Sequence, residues 1–261
     1  MNRLARAALR RERVLVAGGL LLVVVASWAW LVAGAGMMQP MGDMLMPMSS
    51  GPWSAAHALL VFAMWVVMMA AMMLPGAAPL ILLHADAARR RGQPGDLPAW
   101  FVLGYLAVWG GFGAAATALQ WLLERLALLS PMMEASSIAL AGGVLVAAGV
   151  YQWTPAKRSC LTHCRSPLAF VMAHWRDGRA GAFAMGARHG LYCLGCCAPL
   201  MALLFVGGVM NLAWIAGIAA FVAVEKFVPA GHAVGRAAGA LLVVWGLATL
   251  WRAVGYKRAR V

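Results

Sequence analysis

The stretch Met64-Trp65-Val66-Val67-Met68-Met69-Ala70-Ala71-Met72-Met73-Leu74-Pro75 lies inside an apolar run from about Trp53 to Leu83 that holds no Asp, Glu, Lys or Arg. That run exceeds the roughly 20 residues a helix needs to cross a ~30 Å hydrocarbon core. Its apolar residues are continuous rather than alternating, which argues for a helix, since strands span a bilayer only as closed barrels. Working outward, similar runs occur at about Val14–Ala33, Pro98–Leu123, Ala135–Trp153 and His189–Met210. Two more follow, one from Asn211 to about Val228 and one at about Val234–Ala253. The sequence therefore predicts an all-α, polytopic transmembrane helix bundle of six or seven spans, with residues 1–261 forming a single integral membrane domain.

Composition excludes the soluble classes. Of 261 residues, 64% are hydrophobic and 11% charged, against about 25% charged in a soluble domain. The net charge of +13 would suggest nucleic acid in a soluble protein. Here the basic residues sit in short segments between apolar runs, which marks cytoplasmic loops against anionic headgroups and leaves the lipid bilayer, not nucleic acid, as partner.

The five arginines of residues 1–13, then Arg89-Arg90-Arg91, then the six basic residues of 154–188 define the inner segments. The outer loop 34–52 has none. By the positive-inside rule the amino terminus is cytoplasmic and the protein a multi-pass resident of a bacterial inner membrane. The first run resembles a signal peptide, but its length predicts a retained helix. Seven spans would place Lys257, Arg258 and Arg260 outside, against the charge rule, so six and seven both stand.

Methionine is concentrated. Eleven of the eighteen lie between residues 37 and 73, six of them in the outer loop (Met37, Met38, Met41, Met44, Met46, Met48). Met64, Met68 and Met72 follow an i, i+4, i+8 spacing along one helix face, with Met69 and Met73 in an adjoining row. Thioethers are soft, uncharged ligands that select Cu(I) and are cheaply buried in lipid. The structural alternative is methionine as a flexible filler between helices.

The cysteines form two clusters. Cys160-Leu161-Thr162-His163-Cys164 lies in the inner polar segment, and His189, Cys193, Cys196 and Cys197 share a face of the helix that follows. On the reducing side a disulfide framework is not expected. Together they offer thiolates and imidazoles for Cu(I), with Zn(II) or an iron–sulfur cluster as alternatives. Against this stands Cys as a small buried apolar residue. Glu225 is expected to pair with Lys226, Arg236 or His232. His57 and His84 flank the methionine helix at its two ends, where water would satisfy them. Gly104, Gly110, Gly111, Gly113, Gly142 and Gly143 are expected to let helices approach closely.

Four stretches carry a resemblance. They are Met64-Trp65 through Leu74-Pro75, Tyr151-Gln152-Trp153-Thr154-Pro155 through Cys160, Cys164 and Pro167, Gly186 through Cys193, Cys196-Cys197 and Met201, and Met210-Asn211 with Glu225-Lys226. Over about residues 55–250 the chain resembles an uncharacterised bacterial family of predicted metal-binding integral membrane proteins. The resemblance implies that Cys160, Cys164, Cys193, Cys196 and Cys197 are metal ligands.

The expectation is a membrane protein that binds or transfers a soft transition metal, Cu(I) foremost. Capture falls to the outer loop, passage or storage to Met64, Met68 and Met72, and binding to the five cysteines with His163 and His189. Two rivals stand beside it. One is a membrane thiol–disulfide redox protein using Cys193 and Cys196. The other is a non-catalytic subunit packing against a membrane protein partner or a second copy. No hydrolytic triad, phosphate-binding loop or ATPase motif is present, so catalysis is not expected.

Overall fold

The computed structural model describes residues 3–36, 38–41, 44–47, 53–130 and 133–258, with side chains from 13–36, 53–130 and 133–253. Helix α1 (Arg3–Val32) leads to a short antiparallel hairpin, β1 (Met38–Met41) and β2 (Met44–Pro47), paired from Met38 opposite Pro47 to Met41 opposite Met44. The side chains of the methionine loop lie outside the described residues, so the expected capture role is not located.

The central helix α2 (Ala55–Arg90) runs 36 residues, about 54 Å at 1.5 Å per residue. Ser54 caps it by accepting from His57 N (3.2 Å). α3 (Leu97–Arg125) returns beside it. Trp65 Nε1 donates to Gln120 Oε1 (3.0 Å), Gln120 Nε2 to Glu124 Oε1 (3.0 Å), and Trp53 Nε1 to Glu124 Oε2 (2.6 Å). This polar chain ties α2 to α3 along one end of the bundle.

α4 (Ile138–Tyr151) and α5 (Pro155–Arg165) form a pair bent by 65°. The cause is local: Pro155 cannot donate to a continuing helix, while Thr154 accepts from Lys157 N (3.3 Å) and so caps a new one. The short α6 (Pro167–His174) precedes α7 (Gly178–Met201), and α8 (Leu204–Gly207), α9 (Leu212–Phe227) and α10 (Gly231–Arg258) complete the chain.

The polar segment 154–188, expected as a loop, is thus helical for most of its length, and α7 begins eleven residues before His189. Its basic residues concealed this. Arg179 projects outward to Asp96 (2.7 Å) with its side chain 64% exposed, while Gly181, Ala182, Met185 and Gly186 of the same helix are buried.

Glycines set two close crossings. α3 and α7 run parallel: a Cβ on Gly104 would strike the Phe183 carbonyl, and one on Gly186 the Phe101 carbonyl. α4 and α10 run antiparallel: a Cβ on Gly149 would come within 2.8 Å of Gly239 O, and one on Gly246 within 2.9 Å of Gly142 O. Small residues at such faces let backbones approach. Gly110, Gly111 and Gly143 have nothing within 4 Å and serve no such contact.

Among the described residues, five helices are long and apolar enough to cross a membrane, or six if the bent pair counts as one span. The sixteen-residue α9, about 24 Å, falls short. The exterior is apolar as well as the core, unlike that of a water-soluble domain, and the interior also holds ionisable groups. Leu21, Leu22, Leu241, Val244 and Trp251 face outward, while Lys157, Glu225, Lys226, His84, His189, Gln120 and Gln152 are buried.

Candidate metal centre

The bend between α4 and α5 swings Cys160 and Cys164 against α7, where the Tyr151 hydroxyl donates to Gly195 O (2.6 Å) and pins the hinge. Gly195 makes the contact possible: a Cβ there would lie 2.6 Å from Cys160 Sγ. Cys164 Sγ stands 3.9 Å from Cys196 Sγ. Cys196 and Cys197 sulfurs are 3.4 Å apart, Cys193 and Cys197 3.9 Å. The fifth sulfur in contact is a thioether, Met73 Sδ of α2, 3.9 Å from Cys197 Sγ.

All five cysteines are free thiols, and Cys193, Cys196 and Cys197 are buried. Cys196 and Cys197 Sγ donate to the Cys193 carbonyl (3.1 and 2.7 Å). Cys193 Sγ meets two polar groups, the Tyr105 hydroxyl and Lys226 Nζ, each at 3.1 Å. The Tyr105 hydroxyl donates in turn to Met73 O (3.1 Å). One thiol cluster is thereby fixed to α2, α3, α5 and α9 at once.

Among the described residues no three Cys, His, Asp or Glu side chains already enclose a metal-sized position. The thiols are engaged instead with one another and with the Cys193 carbonyl. Its spacing nevertheless suits a soft ion. Two sulfurs bound to one metal at ~2.3 Å stand no more than ~4.6 Å apart. The sulfur contacts of 3.4 to 3.9 Å fall inside that bound, so each contacting pair is close enough to share one ion.

The remaining site candidates divide. His189, buried at 2%, stacks on Tyr105 with ring centroids 5.7 Å apart, one turn from Cys193, and its Nδ1 has no partner. His163 turns aside: its ring lies flat on Tyr192 at 4.2 Å, and its Nδ1 is 2.8 Å from Ser159 O. Met64, Met68 and Met72 are all buried along α2, but the methionine that touches the thiols is Met73, from the adjoining row.

Two sequence expectations are corrected. Glu225 pairs with Lys157, whose Nζ donates to both carboxylate oxygens (2.7 and 2.8 Å) and also to Gln152 Oε1. Lys226 thus lacks the glutamate as partner and reaches Cys193. His84 is not a water-satisfied end residue: it is fully buried between Phe101 (4.9 Å) and Trp175 (5.4 Å), with both ring nitrogens unpartnered. Tyr105 carries no local motif, Met73 reads only as part of the second methionine row, and Lys226 only as a neighbour of Glu225. Only the apolar surroundings of Lys226 in the sequence hint at a role, because an ionisable residue in such a setting is rarely idle.

No curated protein and no solved structure matches the chain. A family model described as PpoB2, copper chaperone, matches residues 62–249. The match takes in Met64 to Met73, both cysteine clusters and Glu225-Lys226. The chain belongs to this copper chaperone family.

Proposed function

We propose that this protein is a membrane-embedded copper chaperone that carries Cu(I) on the thiols of α5 and α7 and receives it along the methionines of α2. The observation that carries this reading is the convergence of four cysteine sulfurs and Met73 within 3.4 to 3.9 Å of a neighbour inside a closed core. Ligand type supports the monovalent ion, since thiolate and thioether together are soft donors. Copper here is cargo rather than a resident cofactor.

The exposed apolar side chains of α1 and α10 suit a hydrocarbon surround, and the buried charges suit an interior shielded from it. The basic segments orient the amino terminus, the α2–α3 turn and α5–α6 toward the cytoplasm of a bacterial inner membrane. From Met64 to Met73 the methionine face then descends about 14 Å along the helix axis toward the thiols. Cys197, in contact with Met73, is the point of hand-over from thioether to thiol.

Elemental analysis of the purified full-length chain beside a Cys193→Ser, Cys196→Ser variant tests the reading. Copper retained by the wild type and lost by the variant supports it. No retained copper, or equal copper in both, overturns it.

A further inference from the structure

The Lys226 ammonium is unusual for a buried group. It is 5% exposed, and its hydrogen-bond acceptor is the Cys193 sulfur at 3.1 Å. The ionisable groups around it include Cys193, Cys196, Cys197, Tyr105, His189 and Glu225. Glu225, its neighbour in sequence, is held by Lys157. The Tyr105 hydroxyl is engaged as a donor to Met73 O. α2 also leaves room for the lysine: a Cβ on Gly76 would stand 3.0 Å from Lys226 Nζ and 3.1 Å from its Cδ. The methionine helix thus carries a gap, directly after Pro75, through which the ammonium passes to the thiols.

Resting on the copper reading above, we infer that Lys226 is the charge-balancing and metal-selecting residue of the thiol centre. The case is one of net charge in a medium where uncompensated charge is costly. A monovalent ion between two thiolates forms a complex of charge −1, which one ammonium neutralises. A divalent ion between the same two thiolates is already neutral, so the ammonium leaves the site with a surplus of +1. A lysine at this place therefore favours Cu(I) over Zn(II) at a two-thiolate site, without touching the metal.

The test uses the full-length chain in detergent micelles. Cu(I) affinity is read by competition with a chromophoric Cu(I) chelator, and Zn(II) affinity with a zinc chromophore. Lys226→Leu removes the charge without adding a soft donor, and Lys226→Gln removes it while keeping a donor for the sulfur. Both variants are expected to bind Cu(I) roughly 10–100-fold more weakly, the loss usual for a group that supports metal ligands from outside the coordination shell, with Zn(II) affinity unchanged or raised. Should either variant fail to fold, Gly76→Ala keeps the lysine but crowds its ammonium off Cys193, and the same shift in metal preference is expected. Undiminished Cu(I) binding in the neutral variants overturns the inference. So does an equal loss of both metals, or Lys226→Gln binding Cu(I) as well as the wild type. A wild-type chain that binds no Cu(I) fails the copper reading itself, and this inference with it.

Discussion

Glu225→Gln should loosen the junction that presents Cys160 and Cys164 to α7. Lys157 and Glu225 are each 3% exposed at the side chain and meet at 2.7 Å. At an effective dielectric of about 20, opposite charges at that distance attract by roughly 6 kcal/mol, much of which offsets the cost of burying them. Removing one partner leaves the other charge uncompensated, typically at about 3–5 kcal/mol. Lys157 would retain Gln152 and the new amide oxygen, so the low end, about 3 kcal/mol, is expected. The paired replacement Lys157→Met, Glu225→Leu should recover most of that loss, because an apolar pair leaves no orphaned charge. Denaturant unfolding in detergent measures the loss in Glu225→Gln and its recovery in the double variant. Thiol alkylation should show Cys164 more reactive in Glu225→Gln, as α5 parts from Cys196. A single-variant loss under about 1 kcal/mol, the value of a solvated surface pair, or a double variant no more stable than Glu225→Gln, would refute the reasoning.

Other outcomes follow from the same geometry. Gly186→Ala should destabilise by about 1–3 kcal/mol or more, because the added Cβ meets the Phe101 carbonyl. Gly110→Ala, with open space around it, should be neutral or stabilising by up to about 1 kcal/mol; thermal unfolding of the two separates them. Met73→Leu conserves volume and should cost under about 1.5 kcal/mol, yet slow Cu(I) loading measured by stopped-flow transfer, whereas Met64→Leu, farther from the thiols, should slow it less. Trp65→Phe should cost about 1–3 kcal/mol in unfolding, since it strands the buried Gln120 oxygen.

The spans were legible because their apolarity is continuous, and the α7 cysteines because 189, 193, 196 and 197 share one face of any helix. Both signals are local. The amino-terminal half of α7 was obscured by Arg179 and Arg188, whose charge reads as loop although small buried residues lie between them. Pro155 reads as a stop and is also a start, because Thr154 ahead of it caps a second helix. The partners of the thiols were out of reach for a different reason. Met73, Tyr105 and Lys226 come from three helices distant in sequence, and nothing in their local spacing specifies that they meet. The exchange of Glu225 from Lys226 to Lys157 has the same origin: adjacent residues on a helix point in different directions, and the fold chooses the partner.

Copper X-ray absorption of the Cu(I)-loaded full-length chain tests the account most directly. A first shell of sulfur alone is expected, lost when Cys164, Cys196 and Cys197 become serine and kept when His163 becomes alanine. A shell of nitrogen or oxygen, or a spectrum unchanged by the cysteine replacements, would contradict it.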